Sequence, residues 1–72
     1  MPHRINPNKL HLSKWTAISP CDREKHFLVT ELVRDEQQQV VSCVLEAVLT
    51  RRTQIIDWRV LKDDTRWQTG WT

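Results

Sequence analysis

The chain has 72 residues, 39% of them hydrophobic and 28% charged, with 11 lysines and arginines against 9 acids. That balance describes a soluble globular domain rather than a disordered segment, and a formal charge of +2 is too small to mark a dedicated electrostatic binder of nucleic acid. No apolar run approaches the roughly 20 residues needed to span a bilayer, and none at the start has signal-peptide form. A cytoplasmic protein without membrane contact is therefore expected, with Cys21 and Cys43 as reduced thiols.

In chain order, residues 1–9 hold Pro2 and Pro7 but no hydrophobic pattern, and read as an extended, partly mobile lead-in. Residues 10–72 read as a single small β domain. Residues 10–18 alternate apolar and polar as a short strand or edge segment would, and residues 19–24 around Pro20 read as a loop. Residues 25–34 predict a strand with Phe27, Val29 and Val33 on one face and Leu28 and Leu32 on the other. Residues 35–39 are wholly polar and form a connection, without the glycine a tight hairpin favours.

Residues 40–50 fit two periods. With period two, Val41, Cys43, Leu45, Ala47 and Leu49 share an apolar face. With helical period, Gln39, Ser42, Glu46 and Thr50 line one polar side, Asp35 could cap, and Arg51 and Arg52 suit a helix end. The β-branched content favours a strand. Residues 51–53 then turn into a strand over 54–61 with Ile56, Trp58 and Val60 on one face. Residues 62–65 break it, Asp64 or Thr65 caps a single helical turn over 66–69, and Gly70 stops the turn. The expected fold is mainly β: an antiparallel meander or small SH3-like or Tudor-like barrel with a short C-terminal helical turn. The alternative is α+β with a helix at 36–52.

Four tryptophans beside one phenylalanine and no tyrosine are the strongest compositional signal. A domain this small buries only about 60% of its unfolded surface, and each indole can bury roughly 150–250 Å². With Asn6-Pro7-Asn8-Lys9-Leu10, Ser13-Lys14-Trp15-Thr16-Ala17, the Arg23 to Thr30 run, Leu45-Glu46-Ala47-Val48-Leu49-Thr50, Asp57-Trp58-Arg59, Leu61-Lys62, Trp67 and Gly70-Trp71, the chain resembles a family of small tryptophan-rich bacterial proteins of unknown function. The resemblance covers nearly the whole chain. It implies a compact stand-alone bacterial protein and brings no activity, ligand or cofactor with it.

Trp58 and Trp15 are expected in the core. Trp67 and Trp71 either plug an open end of the sheet or present an indole to a partner. The candidate binding surface is Trp67, Trp71, Trp15, Lys25, His26, Arg51, Arg52 and Arg66, with Arg23 beside Lys25 as a further phosphate contact. Trp58 and Arg59, as strand neighbours, should point to opposite faces and build no common surface. Cys21, His26, His3, His11 and Cys43 lack the paired close spacing of a structural zinc site. Nothing predicts a phosphate-binding glycine loop or a matched acid and base, so neither an enzyme nor a cofactor is expected. Two functions remain in view. One is a protein-interaction module or accessory subunit with an unknown protein partner. The other is a weak, non-sequence-specific binder of RNA or single-stranded DNA.

Overall fold

The computed structural model describes residues 3–72, so Met1 and Pro2 of the expected lead-in lie outside the described residues. Five antiparallel strands form one open sheet: β1 (Lys14–Cys21), β2 (Glu24–Arg34), β3 (Val40–Ala47), β4 (Thr53–Asp57) and β5 (Trp67–Thr69). Their order is β4-β3-β2-β1-β5, so four strands meander and the fifth returns to the free side of the first. Helical structure among the described residues is confined to two 3-10 turns, Pro7–Lys9 and Trp58–Lys62. The mainly β expectation holds and the alternative helix at 36–52 is absent, its residues forming a turn and β3. The valines decide the matter: residues with stiff, branched side chains fit the pleat better than a helix.

Two bulges rewrite the predicted faces. Val29 pairs with Leu45 but Glu31 with Val44, which leaves Thr30 as the extra residue in β2; a second slip leaves Val41 extra in β3. An extra residue changes which side of the sheet the following side chains meet. Phe27 and Val29 therefore stay inside, but Leu32 replaces Val33 against the core and Val33 is exposed. Val41 and Leu49, expected inside, are exposed too, while Val40, Cys43, Leu45 and Ala47 are buried.

β1 begins at Lys14 and runs through Pro20, so the predicted loop at 19–24 shrinks to a turn at Asp22 and Arg23, both at positive φ. The connection at 35–39 closes as expected. The Asp35 carboxylate accepts from the amides of Gln37 and Gln39, and Gln38 takes the left-handed conformation that glycine would have taken.

Two other elements differ from expectation. β4 stops at Asp57, whose carboxylate accepts from Arg59 N–H at 2.9 Å and caps the 3-10 turn holding Trp58 and Leu61. The helical turn therefore sits at 58–62, and residues 67–69 are the strand β5, paired through Ala17↔Trp67, Thr16↔Gln68 and Trp15↔Thr69. Asp63 rather than Asp64 or Thr65 organises the approach: its carboxylate accepts from the Thr65 amide and hydroxyl. Those bonds, the side-chain one foremost, hold the Asp63 carboxyl below its ordinary range.

The core lies on one face of the sheet and is closed by the 58–62 turn and by the segment before β1. Trp15, Trp58 and Trp67 are buried there with Phe27, Leu45 and Leu61. The lead-in is partly ordered: Ile5 packs on the core, Leu10 is buried, and the Asn6 side chain caps the Pro7–Lys9 turn. His3 donates its Nε2 proton to the Trp67 carbonyl at 2.7 Å and meets the Trp15 ring edge-on. The Trp15 indole N–H donates to Ser13 Oγ at 2.9 Å, whereas those of Trp58 and Trp67 have no acceptor among the described residues.

Candidate functional site

The strand register assigns the opposite face. Lys14 pairs with Leu28 and Thr16 with His26 on the outer side, while Trp15 and Phe27 between them point to the core. Gly70, at φ +78°, turns the chain after β5 so that residues 70–72 cross this outer face as a strap. Only glycine adopts that backbone without strain. The Thr16 hydroxyl donates to the Gly70 carbonyl at 2.6 Å and accepts from the Thr72 amide at 3.2 Å, which explains how a threonine on the outer face is buried. His26 Nε2 donates to the Thr72 backbone oxygen at 3.0 Å.

The strap holds Trp71 in place without burying it. Its indole N–H donates to the Phe27 carbonyl at 3.0 Å, yet 42% of the residue remains exposed. Lys14 Nζ lies 4.7 Å from the ring centroid, and the His26 ring is tilted beside it at 6.0 Å. Beyond His26 opens a concavity of about 340 Å³ lined by Arg23, Lys25, His26, Val48 and Leu49. A fixed indole, a cluster of cations and an apolar hollow thus share one corner of the outer face.

The predicted site residues separate into three groups. His26 meets Trp71 and, with Lys25, lines the adjoining concavity. Trp15 and Trp67 are core, and Arg66 lines a different, smaller hollow with Ala17, Ser19 and Thr65. Arg52 is committed elsewhere: its guanidinium grips the buried Glu24 carboxylate at 2.7 and 3.0 Å, and the Thr50 hydroxyl donates to the same carboxylate. Arg51 lies 3.9 Å from Glu46. Lys14, Val48 and Leu49 escaped the sequence reading. Lys14 had a usable signal, since alternation from buried Trp15 puts it on the outer face, but the strap that brings Trp71 to it leaves no local trace.

One expectation fails outright. Trp58 and Arg59 do share a surface, because both lie in a 3-10 turn and not on a strand. The Arg59 guanidinium and Lys62 Nζ stand 5.3 and 5.0 Å from the Trp58 ring. Trp58 itself is buried, so the two cations cover it and offer no open aromatic face.

The Glu24 cluster ties the β1–β2 turn to the β3–β4 turn. The Thr50 hydroxyl, and after it the Arg52 guanidinium, hold the Glu24 carboxyl below its ordinary value of 4.5. A carboxyl whose pKa is lower folded than unfolded adds stability that is complete above the unfolded value and disappears as pH falls through the folded one. Denaturant midpoints should therefore drop on acidification below about pH 4.5, and Glu24→Gln should flatten part of that slope, the Asp63 contribution persisting. An acid slope unchanged in Glu24→Gln would contradict the assignment.

Among the described residues no three metal-ligating side chains converge. Burial pushes the Cys43 thiol up to about 11, with the Asp57 carboxylate adding to the effect, so it is a core residue rather than a thiolate. No helix among the described residues is long and apolar enough to cross a membrane.

Residues 13–72 match the family described as Tryptophan-rich protein (DUF2389), and the chain belongs to that family. Neither a curated protein nor a solved structure matches it.

Proposed function

We propose that this protein is a non-catalytic protein-interaction module, or small accessory subunit, of the bacterial cytoplasm, and that it meets its partner with the outer face of the sheet. The observation that carries the reading is apolar surface left uncovered on one side: Leu49 is 67% exposed and Ile55 70%, with Val48 and the immobilised Trp71 in the same state. Val48 and Leu49 line one hollow with Arg23, Lys25 and His26, and exposed apolar side chains set next to cations are what a docking surface offers. β4 adds a free sheet edge that carries no proline, lysine or bulge to blunt it. The strand order, with a 3-10 turn between β4 and β5, supports reading the sheet as SH3-like. A binding role also fits the titratable groups, since Glu24 is engaged by Thr50 and Arg52 and Cys43 is buried.

Binding of RNA or single-stranded DNA is the competing reading. The site resists it: Lys14 already lies over the Trp71 ring and Phe27 occupies its N–H, so a base would have to displace the lysine to stack.

The test is site-specific photo-crosslinking in the native cytoplasm, with benzoylphenylalanine placed at Leu49 or, as control, at Leu12, which is also exposed. The expected result is a discrete protein adduct from Leu49 and none from Leu12. Identical adduct patterns from both positions, or none from Leu49, would remove the proposal.

A further inference from the structure

We infer that the hollow beside Trp71 takes an acidic protein segment bearing one bulky apolar side chain. The inference rests on the interaction reading and names the kind of partner. Its first support is a charge inventory. Lys14, Arg23 and Lys25 are exposed and form no ion pair among the described residues, and His26 stands between them. The neighbouring carboxylates are already taken: Glu24 by Arg52 and Thr50, Glu46 by Arg51, and Asp22 lies 4.0 Å from Arg52. The three cations are left without a side-chain carboxylate, which a segment of aspartates and glutamates would supply through charge-assisted hydrogen bonds.

Its second support is the lining. Val48 and Leu49 give the floor of the hollow an apolar character, and about 340 Å³ has room for one leucine- or phenylalanine-sized side chain. An apolar anchor in a pocket, ringed by charges that remain partly wet, is the usual anatomy of a strong contact. A phosphodiester chain would satisfy the cations but leave that floor unfilled.

The probe is a labelled peptide, Glu-Asp-Glu-Leu-Phe-Asp-Glu-Asp, followed by anisotropy and by the Trp71 indole ¹H–¹⁵N resonance, which Trp71→Phe assigns. Expected results are saturable binding that moves this resonance, weakening as salt rises, and about tenfold loss of affinity, roughly 1.4 kcal/mol, in the Lys14→Glu/Lys25→Glu variant. Both lysines are exposed, so the variant should fold, and unchanged tryptophan emission would verify it. Replacing the Leu-Phe pair by Ser-Ser should weaken binding by a similar factor.

The inference is overturned by absence of binding, by equal affinity in the charge-reversed variant, by binding that leaves the Trp71 resonance still, or by tighter binding of a short oligothymidylate. Its failure can be told from failure of the interaction reading. A Leu49-specific adduct whose crosslinked peptide is basic or neutral leaves the module standing and removes only the acidic partner.

Discussion

Trp15→Ala should cost about 3–5 kcal/mol, the range for truncating a buried large aromatic side chain. Small domains commonly have only about 5–15 kcal/mol in total, so much of the population should be unfolded at moderate temperature. Trp15 is 3% exposed and sits where β1, β2 and β5 meet, paired with Phe27 on one side and Thr69 on the other. Its loss opens a void against the His3 ring and strips the Ser13 hydroxyl of its indole donor, though that hydroxyl keeps the Leu10 carbonyl as acceptor. Trp15→Phe should restore most of the difference, because volume rather than the N–H carries the effect. Trp71→Ala is the contrast: with 42% exposure and one hydrogen bond to lose, it should cost about 1 kcal/mol. Equal losses from Trp15→Ala and Trp71→Ala in denaturant unfolding would refute the division of the indoles into core and surface.

The second large effect is expected at Leu61. Nothing in a short 3-10 turn between two strands announces a core position, yet Leu61 is fully buried. It and Trp58 project from the same turn into the core, and the turn packs on β3. Leu61→Ala should destabilise by about 2–5 kcal/mol, with the upper part of that range applying if the turn cannot collapse into the space. The Asp57 cap, which orients the turn, makes collapse difficult. Thermal unfolding followed by tryptophan emission measures the change. A melting temperature within a degree or two of the parent would show that the turn is an appendage and not the lid of the core.

Much of the sheet was legible because its determinants are local. β2 announces itself through alternating apolar residues, whereas β3 fits a helical period as well and is marked as a strand only by its β-branched residues. The errors arise where a backbone event has no residue signature. The bulges at Thr30 and Val41 use no glycine, so the switch that exposes Val33 cannot be read from composition. Leu12, Asp22, Arg23, Gln38 and Arg51 all take positive φ, a role usually signalled by glycine. Residues 66–69 read as a capped helical turn stopped by Gly70, and pairing with the free side of β1 overrides that local signal. That side exists only once the sheet has formed.

The candidate site was legible in the same uneven way. Lys25 and His26 stand out as a charged start to a strand, and Trp71 as an indole among small polar neighbours. Arg51 and Arg52 looked alike in sequence, but Glu24 belongs to another hairpin and claims only one of them directly. Lys14 joins the site through a strap 54 residues further along, the separation of the Thr16–Gly70 hydrogen bond.

That last separation also orders the assembly of the molecule. β1 to β4 can zip through short connections, each bringing together segments that are neighbours along the chain. β5 cannot, because its partner lies near the opposite end of the polypeptide, and closing so long a loop is a loss of freedom taken before any contact compensates it. Trp67 belongs to β5, so the first four strands alone leave the interior incomplete. The final strand is thus the latch of the folding reaction, and the Trp71 corner comes into being only when that latch has shut.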